Sequence, residues 1–446
     1  MSGCPATARA SSAPIVSPTE SPSIPPSGTS SPHSPKEFTM TDTANGLLRL
    51  PAQIAFGLNS LDGLAGTVSA LGRRAFVVVD PFIRGTALFG EAMESLSAAG
   101  VEVAICSEVV AELPVPAVEA AGEMARAFAP DVVVGYGGGS AIDLAKLVAL
   151  LARQPSPLSL YYGENKVGAD VAPLVAVPTT AGTGSEATPV AVVSDSEREL
   201  KVGVSSPYLV PRAAIVDPRL SLGAPGTVTA YAGIDALVHA IESFTAAPWS
   251  AAWGDTLPVF VGRNRLSSLL ALEAASTILG SLRTAVSSPL DLPAREAMSY
   301  GSLLAGMAFG GAGTHLSHAL QYPIGALSKT PHGLGTGLLL PYVMEAAFAE
   351  TMPELAAIAV ACGHRGGSDE ALAMQAIDDV RSLSKDIGIP NTLAEIGITA
   401  GQLPRIAELS LTVKRLANNS TLEPTHDLFM TILEAALTGD RSRLSR

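Results

Sequence analysis

Asp235 and His239 stand four residues apart in Ala230-Tyr231-Ala232-Gly233-Ile234-Asp235-Ala236-Leu237-Val238-His239-Ala240-Ile241-Glu242. The apolar period of this stretch is helical, so the two side chains lie one above the other on a single face. The chain has 7 histidines, and His315, His318 and His332 cluster between residues 315 and 332. A helix over 313–320 presents His318, and Pro331-His332-Gly333 opens the next apolar helix, so two further elements can converge on the first pair. Three imidazoles and one carboxylate form a nitrogen-rich donor set for a borderline divalent ion such as iron or zinc, with a coordination position left for substrate. His315 lies three residues before His318 and competes with it on spacing. Taken singly, each histidine fits a capping or buried hydrogen-bonding role, and Asp235 fits a surface charge. The metal reading rests on the set.

A second constellation begins where the apolar run at 131–135 meets Tyr136-Gly137-Gly138-Gly139-Ser140 and then the helical Ala141-Ile142-Asp143-Leu144-Ala145-Lys146. Glycines let a backbone turn tightly against a pyrophosphate, and the free N–H groups of a new helix face the anion. Ser140 is the expected N-cap, with Asp143 three residues on. The pattern Gly135-x-Gly137-x-x-Ser140 follows the third strand of the reading instead of the first, so a plain Rossmann order is not expected. Asp80, at the end of the first strand, is placed to accept from a ribose hydroxyl and to favour NAD over NADP, although such an Asp also serves as a turn residue. Pro178-Thr179-Thr180-Ala181-Gly182-Thr183-Gly184-Ser185-Glu186 supplies hydroxyls and glycines suited to phosphate or ribose.

The elements that must hold these groups alternate between short β-rich runs and Ala-rich amphipathic stretches, the α/β signature. Strands are expected at 75–80, 101–105, 131–135 and 174–177, a hairpin at 189–194 and 200–204, and a last strand at 213–217. Beyond about 225 the period is 3.6, with helices at 227–245, 265–286, 293–310 and onward. The expected domains are a Ser/Pro-rich disordered tail over 1–44, an α/β dinucleotide-binding domain over 45–222 and an all-helical metal-binding catalytic domain over 223–446. Met40 is a candidate start, because the folded pattern begins just after it. The cleft between the halves is the natural ligand site.

With 28 Lys+Arg against 41 Asp+Glu the net charge is -13, the wrong sign for a phosphate backbone or an anionic bilayer. No nucleic-acid or membrane partner is expected, and no apolar run reaches the ~20 residues of a bilayer crossing. Cys4, Cys106 and Cys362 are odd in number and lack the spacing of a disulfide framework, which fits a cytoplasmic protein. The apolar, weakly charged composition suggests a homo-oligomer.

Taken together, Gly137-Gly138-Gly139-Ser140-x-x-Asp143-x-x-Lys146, the Thr179 to Glu186 loop, Asp235-x-x-x-His239-Ala240-Ile241-Glu242 and the pair His318, His332 resemble the iron-containing alcohol dehydrogenase family. The resemblance runs in order from about Gln53 to near the C-terminus. It implies the fold shared with dehydroquinate synthase and glycerol dehydrogenase, with NAD and one divalent metal as cofactors, Fe2+ favoured and Zn2+ possible. It also implies Asp235, His239, His318 and His332 as metal ligands, with His315 outside the set. Asp80, Gly137, Gly138, Gly139, Ser140, Asp143, Thr179, Thr180, Thr183 and Lys201 fall to the cofactor, Lys201 by its match to a family lysine.

Two departures stand out. Tyr322 occupies the place of a further histidine found in many members, and as the candidate catalytic side chain it either offers its hydroxyl or, the favoured reading, shapes the pocket. The stretch 247–265, with Trp249, Trp253 and Arg263, is longer than the family's usual link and is expected to alter substrate entry or a subunit contact. The expected reaction is metal-assisted hydride transfer between NAD(H) and a small primary alcohol or aldehyde. A glycerol-, hydroxy-acid- or maleylacetate-type reductase of the same fold is the near alternative. A dehydroquinate-synthase-like lyase and a non-enzymatic metal-binding protein are the distant ones.

Overall fold

Continuous apolar runs such as β2 (Arg74–Val79) and β4 (Val132–Gly137) form strands buried on both faces, as a parallel sheet covered by helices requires. The computed structural model describes residues 45–198, 200–254 and 256–444; the Ser/Pro tail over 1–44, with Met40, lies outside the described residues. Together with β1 (Gln53–Phe56), β3 (Glu102–Cys106), β6 (Leu174–Pro178) and β9 (Ala213–Val216), these strands make a six-stranded sheet. Its order is β1-β9-β6-β4-β2-β3, and every pairing is parallel. The expected hairpin is present as β7 (Val190–Asp195) and β8 (Leu200–Ser205), antiparallel and extended by the two-residue β5 (Gly163–Glu164) into a separate sheet. Sequence reasoning assigned neither β1 nor β5 as a strand.

Four helices cross between the strands: α1 (Leu64–Leu71), α2 (Ala87–Ala98), α3 (Val115–Phe128) and α4 (Gly139–Leu151). From β2 the chain runs to β3 on one side and returns to β4 on the other. The order therefore reverses between β2 and β4, and ligands of open α/β sheets bind at the carboxyl ends of such a reversal. Asp80 follows β2 there, and Gly138 to Ser140 follow β4, which ends on Gly137. The two loops touch: a Cβ on Gly137 would come within 3.1 Å of the Asp80 Cβ and 2.7 Å of the Ala141 Cβ, so the turn accepts no side chain. A glycine turn after the third expected strand thus still faces the carboxylate of the first.

The N-cap of α4 is Gly138, with extended backbone, and Ser140 lies inside the first turn. The expected Ser140 cap is therefore wrong. The tight glycine turn enters the helix two residues earlier, which leaves the first-turn N–H groups facing the crevice.

After β9 the described residues form helices: α5 (Gly226–Thr245), α6 (Arg265–Ser287), α7 (Leu292–Ala312), α8 (Leu316–Ser328) and α9 (His332–Ala346). They continue through α10 (Phe348–Ala361), α11 (Asp369–Asp386), α12 (Leu403–Thr412), α13 (Lys414–Ala417) and α14 (His426–Thr438). Helix α5 is buried at every position from Gly233 to Thr245, so its polar side chains are interior groups that need partners. Helix α6 is long and apolar enough to cross a membrane by length and composition, yet one face of it packs into the helical core beside α5 and α7.

The 247–265 stretch folds back on the rest of the chain. Pro248 bridges Arg263, the Val259 N–H donates to Glu164 Oε2 at 3.0 Å, and the Val261 N–H donates to the Gly311 carbonyl at 2.8 Å. Val259 and Phe260 join Val190 and Phe309 in one apolar cluster, so this link ties the hairpin sheet to α7.

Candidate active site

Asp235 and His239 project from one face of α5, with the His239 Nε2 3.8 Å from the Asp235 Oδ2. His318 in the first turn of α8 and His332 at the start of α9 bring their Nε2 atoms to 3.9 Å from the Asp235 Oδ1. Asp235, His318 and His332 each offer one donor within 4.8 Å of the other two. These gaps exceed a hydrogen bond, but two donors each bonded at ~2.1 Å to one ion stand ~3–4 Å apart. The buried His318 Nε2 finds no hydrogen-bond partner among the described residues. A buried nitrogen left open toward a carboxylate and two other rings fits a cation at the centre.

Several contacts orient the donors. The His239 Nδ1 lies 3.3 Å from the Gly182 carbonyl, which as its acceptor leaves the Nε2 lone pair toward Asp235. Thr336 donates its hydroxyl to the Asp235 Oδ1 at 2.7 Å. The ring of His239 stacks on those of His318 and Phe309, with centroids 4.9 and 4.3 Å apart. Helix α9 reaches α5 closely because residue 333 is glycine; a Cβ there would lie 2.0 Å from the Tyr231 carbonyl oxygen and 2.9 Å from the Asp235 Cβ.

Sequence reasoning quoted Glu242 without giving it a task. It is fully buried, one turn beyond His239 on α5, and accepts from the Nδ1 of His318 at 2.7 Å and the N–H groups of His315 and Ser317 at 2.9 and 2.6 Å. One carboxylate thereby caps α8 and fixes the ring of His318. The signal was present as a second carboxylate on a largely apolar helix, one turn beyond His239. His315, the competitor on spacing, points elsewhere: its Nε2 pairs with the Thr245 hydroxyl at 2.9 Å and its Nδ1 faces Glu242 at 3.3 Å.

The electrostatics keep these groups in ligand form. Burial pushes His239 down to about 4 and His332 down to about 3, so both rings are neutral at pH 7. Burial alone pushes the Asp235 carboxyl up, but His239, His332 and His318 together hold it below the ordinary value. Glu242 is likewise lowered: His315 and His318 outweigh the penalty of burial.

Asp235, His239, His318 and His332 line a cavity of about 170 Å³ that also receives Gly139, Ser140, Asp143, Thr183, Lys201 and Tyr322. The glycine-turn helix and the donor cluster thus share one cleft. Lys201 forms an ion pair with Glu112. Asp143 is engaged by the Ser185 hydroxyl and by the Val192 N–H at 2.9 Å, so it fastens the threonine loop and β7 to α4. Thr179 and Thr180 line an adjoining crevice with Glu186 and Asp217. Asp80 accepts from the Phe82 N–H at 2.9 Å through Oδ1, which makes it a turn residue while its other oxygen stays available beside the glycine turn. The buried Tyr322 ring lies 6.3 Å from that of His332; burial raises its phenol pKa and Arg415 opposes the shift.

A family model described as iron-containing alcohol dehydrogenase matches residues 51–218, and the C-terminal model of the Fe-containing alcohol dehydrogenase family matches residues 229–437. Long-chain-alcohol dehydrogenase 1 of Geobacillus thermodenitrificans is 35% identical over 390 residues, covering 86% of this chain and 94% of its own. Among solved structures, an alcohol dehydrogenase from Oenococcus oeni superposes with a TM-score of 0.81 at 28% identity, over 87% of this chain and 99% of that one. The sulfoacetaldehyde reductase from Bifidobacterium kashiwanohense in complex with NAD+ gives 0.75 at 28% identity, over 88% and 98%.

Proposed function

The chain belongs to the iron-containing alcohol dehydrogenase family, and on that premise we propose that Asp235, His239, His318 and His332 hold its one divalent ion beside the nicotinamide. The protein is an NAD-dependent oxidoreductase that moves a hydride between NAD(H) and a primary alcohol or its aldehyde. The observation that carries the ligand assignment is the open Nε2 of His318, buried and aimed at Asp235 while Glu242 occupies its Nδ1.

When bound, the metal supplies Lewis acidity to the substrate oxygen and the nicotinamide gives or takes the hydride. The chain's own part is positioning. The first turn of α4, with Gly139 and Ser140, offers its N–H groups to the pyrophosphate, and Gly137 and Gly138 allow the approach. Asp80 accepts from the adenosine ribose at the β2 end, and Thr179, Thr180 and Thr183 supply hydroxyls along the cofactor. Asp143 holds that loop, Lys201 lines the cleft toward the cofactor, and the phenol of Tyr322 shapes the pocket next to His332. The protein divides as 45–222 for NAD and 223–446 for the metal.

The metal is Fe2+ in preference to Zn2+, on the family's usage. The free thiols of Cys106 and Cys362 support a reducing cytoplasmic location. Exposed Leu266 and Leu269 on α6 support a homo-oligomer joined along that helix. Relatives are named for long-chain alcohols, 1,3-propanediol and sulfoacetaldehyde, so the family leaves the substrate open.

The test is metal content with alcohol-dependent NADH formation. Asp235→Ala and His332→Ala are expected to lose both together; full turnover by chelator-stripped protein refutes the assignment.

A further inference from the structure

We propose that Arg415 anchors an oxyanion at the far end of the substrate, so that the preferred substrate is a short alcohol or aldehyde bearing a carboxylate or sulfonate. This deepens, and rests on, the metal-centre reading above.

Arg415, the second residue of α13, lines the cavity that contains the four donors. Two contact paths lead to it from them. On one, His332 adjoins Tyr322, whose hydroxyl interacts with the Arg415 guanidinium. On the other, His239 stacks on Phe309, Phe309 packs with Val259 and Phe260, and the guanidinium lies over the Phe260 ring at 4.6 Å from its centroid. The ring seats the planar cation and leaves its N–H edge for other partners. Phe260 comes from the 247–265 stretch, which gives that link a task at the substrate pocket.

Charge balance singles out this residue. Among the described residues Arg415 forms no ion pair with a carboxylate. The acids lining the same cavity are all engaged: Glu112 with Lys201, Asp143 with Ser185 and Val192, and Asp235 with Thr336 and the histidine cluster. A guanidinium presents five donors in a fork that matches a carboxylate or sulfonate edge. A half-buried cation without a counter-ion in a substrate cavity therefore selects for an anion. Arg415 also borders an outer cavity of about 280 Å³ with Lys414 and Glu164, and that carboxylate is engaged by the Val259 N–H at 3.0 Å and forms no ion pair with Arg415 among the described residues.

The experiment measures kcat/KM with NADH for 4-oxobutanoate, 2-oxoethanesulfonate and butanal, using metal-loaded wild type, Arg415→Gln and Arg415→Lys. In each reaction the hydride goes to the carbonyl carbon and a solvent proton to its oxygen. The wild type is expected to prefer at least one oxyanion over butanal, and the preferred one distinguishes carboxylate from sulfonate. Arg415→Gln is expected to lower the oxyanion-to-butanal ratio about 10- to 100-fold, mainly through KM. Arg415→Lys is expected to recover part of it, and decides the matter if Arg415→Gln fails to fold. A wild type that prefers butanal, or a ratio that neither substitution moves, overturns the proposal while leaving the metal reading intact. Failure of the metal-loaded wild type to reduce any of the three overturns the proposal, whereas the metal reading fails separately, if wild type takes up no metal.

Discussion

The Nδ1 of His318 donates to the Oε2 of Glu242 across 2.7 Å, and that one bond couples the start of α8 to α5. The same carboxylate takes the backbone N–H groups of His315 and Ser317. Ring tautomer, helix entry and ligand direction therefore share one acceptor.

Glu242→Gln should weaken metal binding about 10- to 100-fold, since the carboxylate accepts at two oxygens and an amide has one, with a donating NH2 in place of the other. Titration of stripped protein with Fe2+ or Zn2+ checks this. An unchanged Kd would show that Glu242 serves the helix end alone.

Acid should destabilise the metal-free protein through the same cluster. Burial depresses His239 and His332 from 6.5 to about 4 and about 3. Between those values and 6.5 the unfolded chain binds more protons than the folded one, so stability falls as pH falls from 6.5 toward 4. It falls by up to about 1.4 kcal/mol per pH unit per ring and is insensitive to these rings above 7. Urea midpoints against pH measure it; a flat profile from 6.5 to 4 would contradict the buried neutral rings.

Gly333→Ala should separate α9 from α5, because the new Cβ meets a backbone oxygen that cannot yield. A loss of about 1–3 kcal/mol in stability is expected, with weaker metal binding from displaced His332. Thermal melts and metal titration together check it, and a variant as stable as wild type would argue against the close approach.

Asp80→Ser keeps a hydroxyl able to accept from the Phe82 N–H but removes the charge. The ratio of NAD to NADP efficiency should fall about tenfold or more. A constant ratio would reduce Asp80 to its turn.

Much of this was legible in the sequence because it is local. The helical period around Asp235 and His239, the apolar runs of β2 and β4 and the start of α9 at His332 all follow from neighbours along the chain. What sequence hid is adjacency. Nothing in chain order says that β4 returns to lie beside β2, which brings Asp80 against Gly137. Glu242 acquires its role only when the N-terminus of α8 arrives from 73 residues away. The Ser140 cap failed because the glycine turn had already started the helix at Gly138. The strands β1 and β5 were missed because one is a short edge strand and the other spans 2 residues.

Anomalous diffraction at the iron edge, from crystals of anaerobically loaded protein, tests the central claim most directly. A single peak within bonding distance of Asp235, His239, His318 and His332, open toward the glycine turn of α4, is the expected result. A fully active crystal form whose iron lies elsewhere, or whose four side chains bind none, would contradict the assignment.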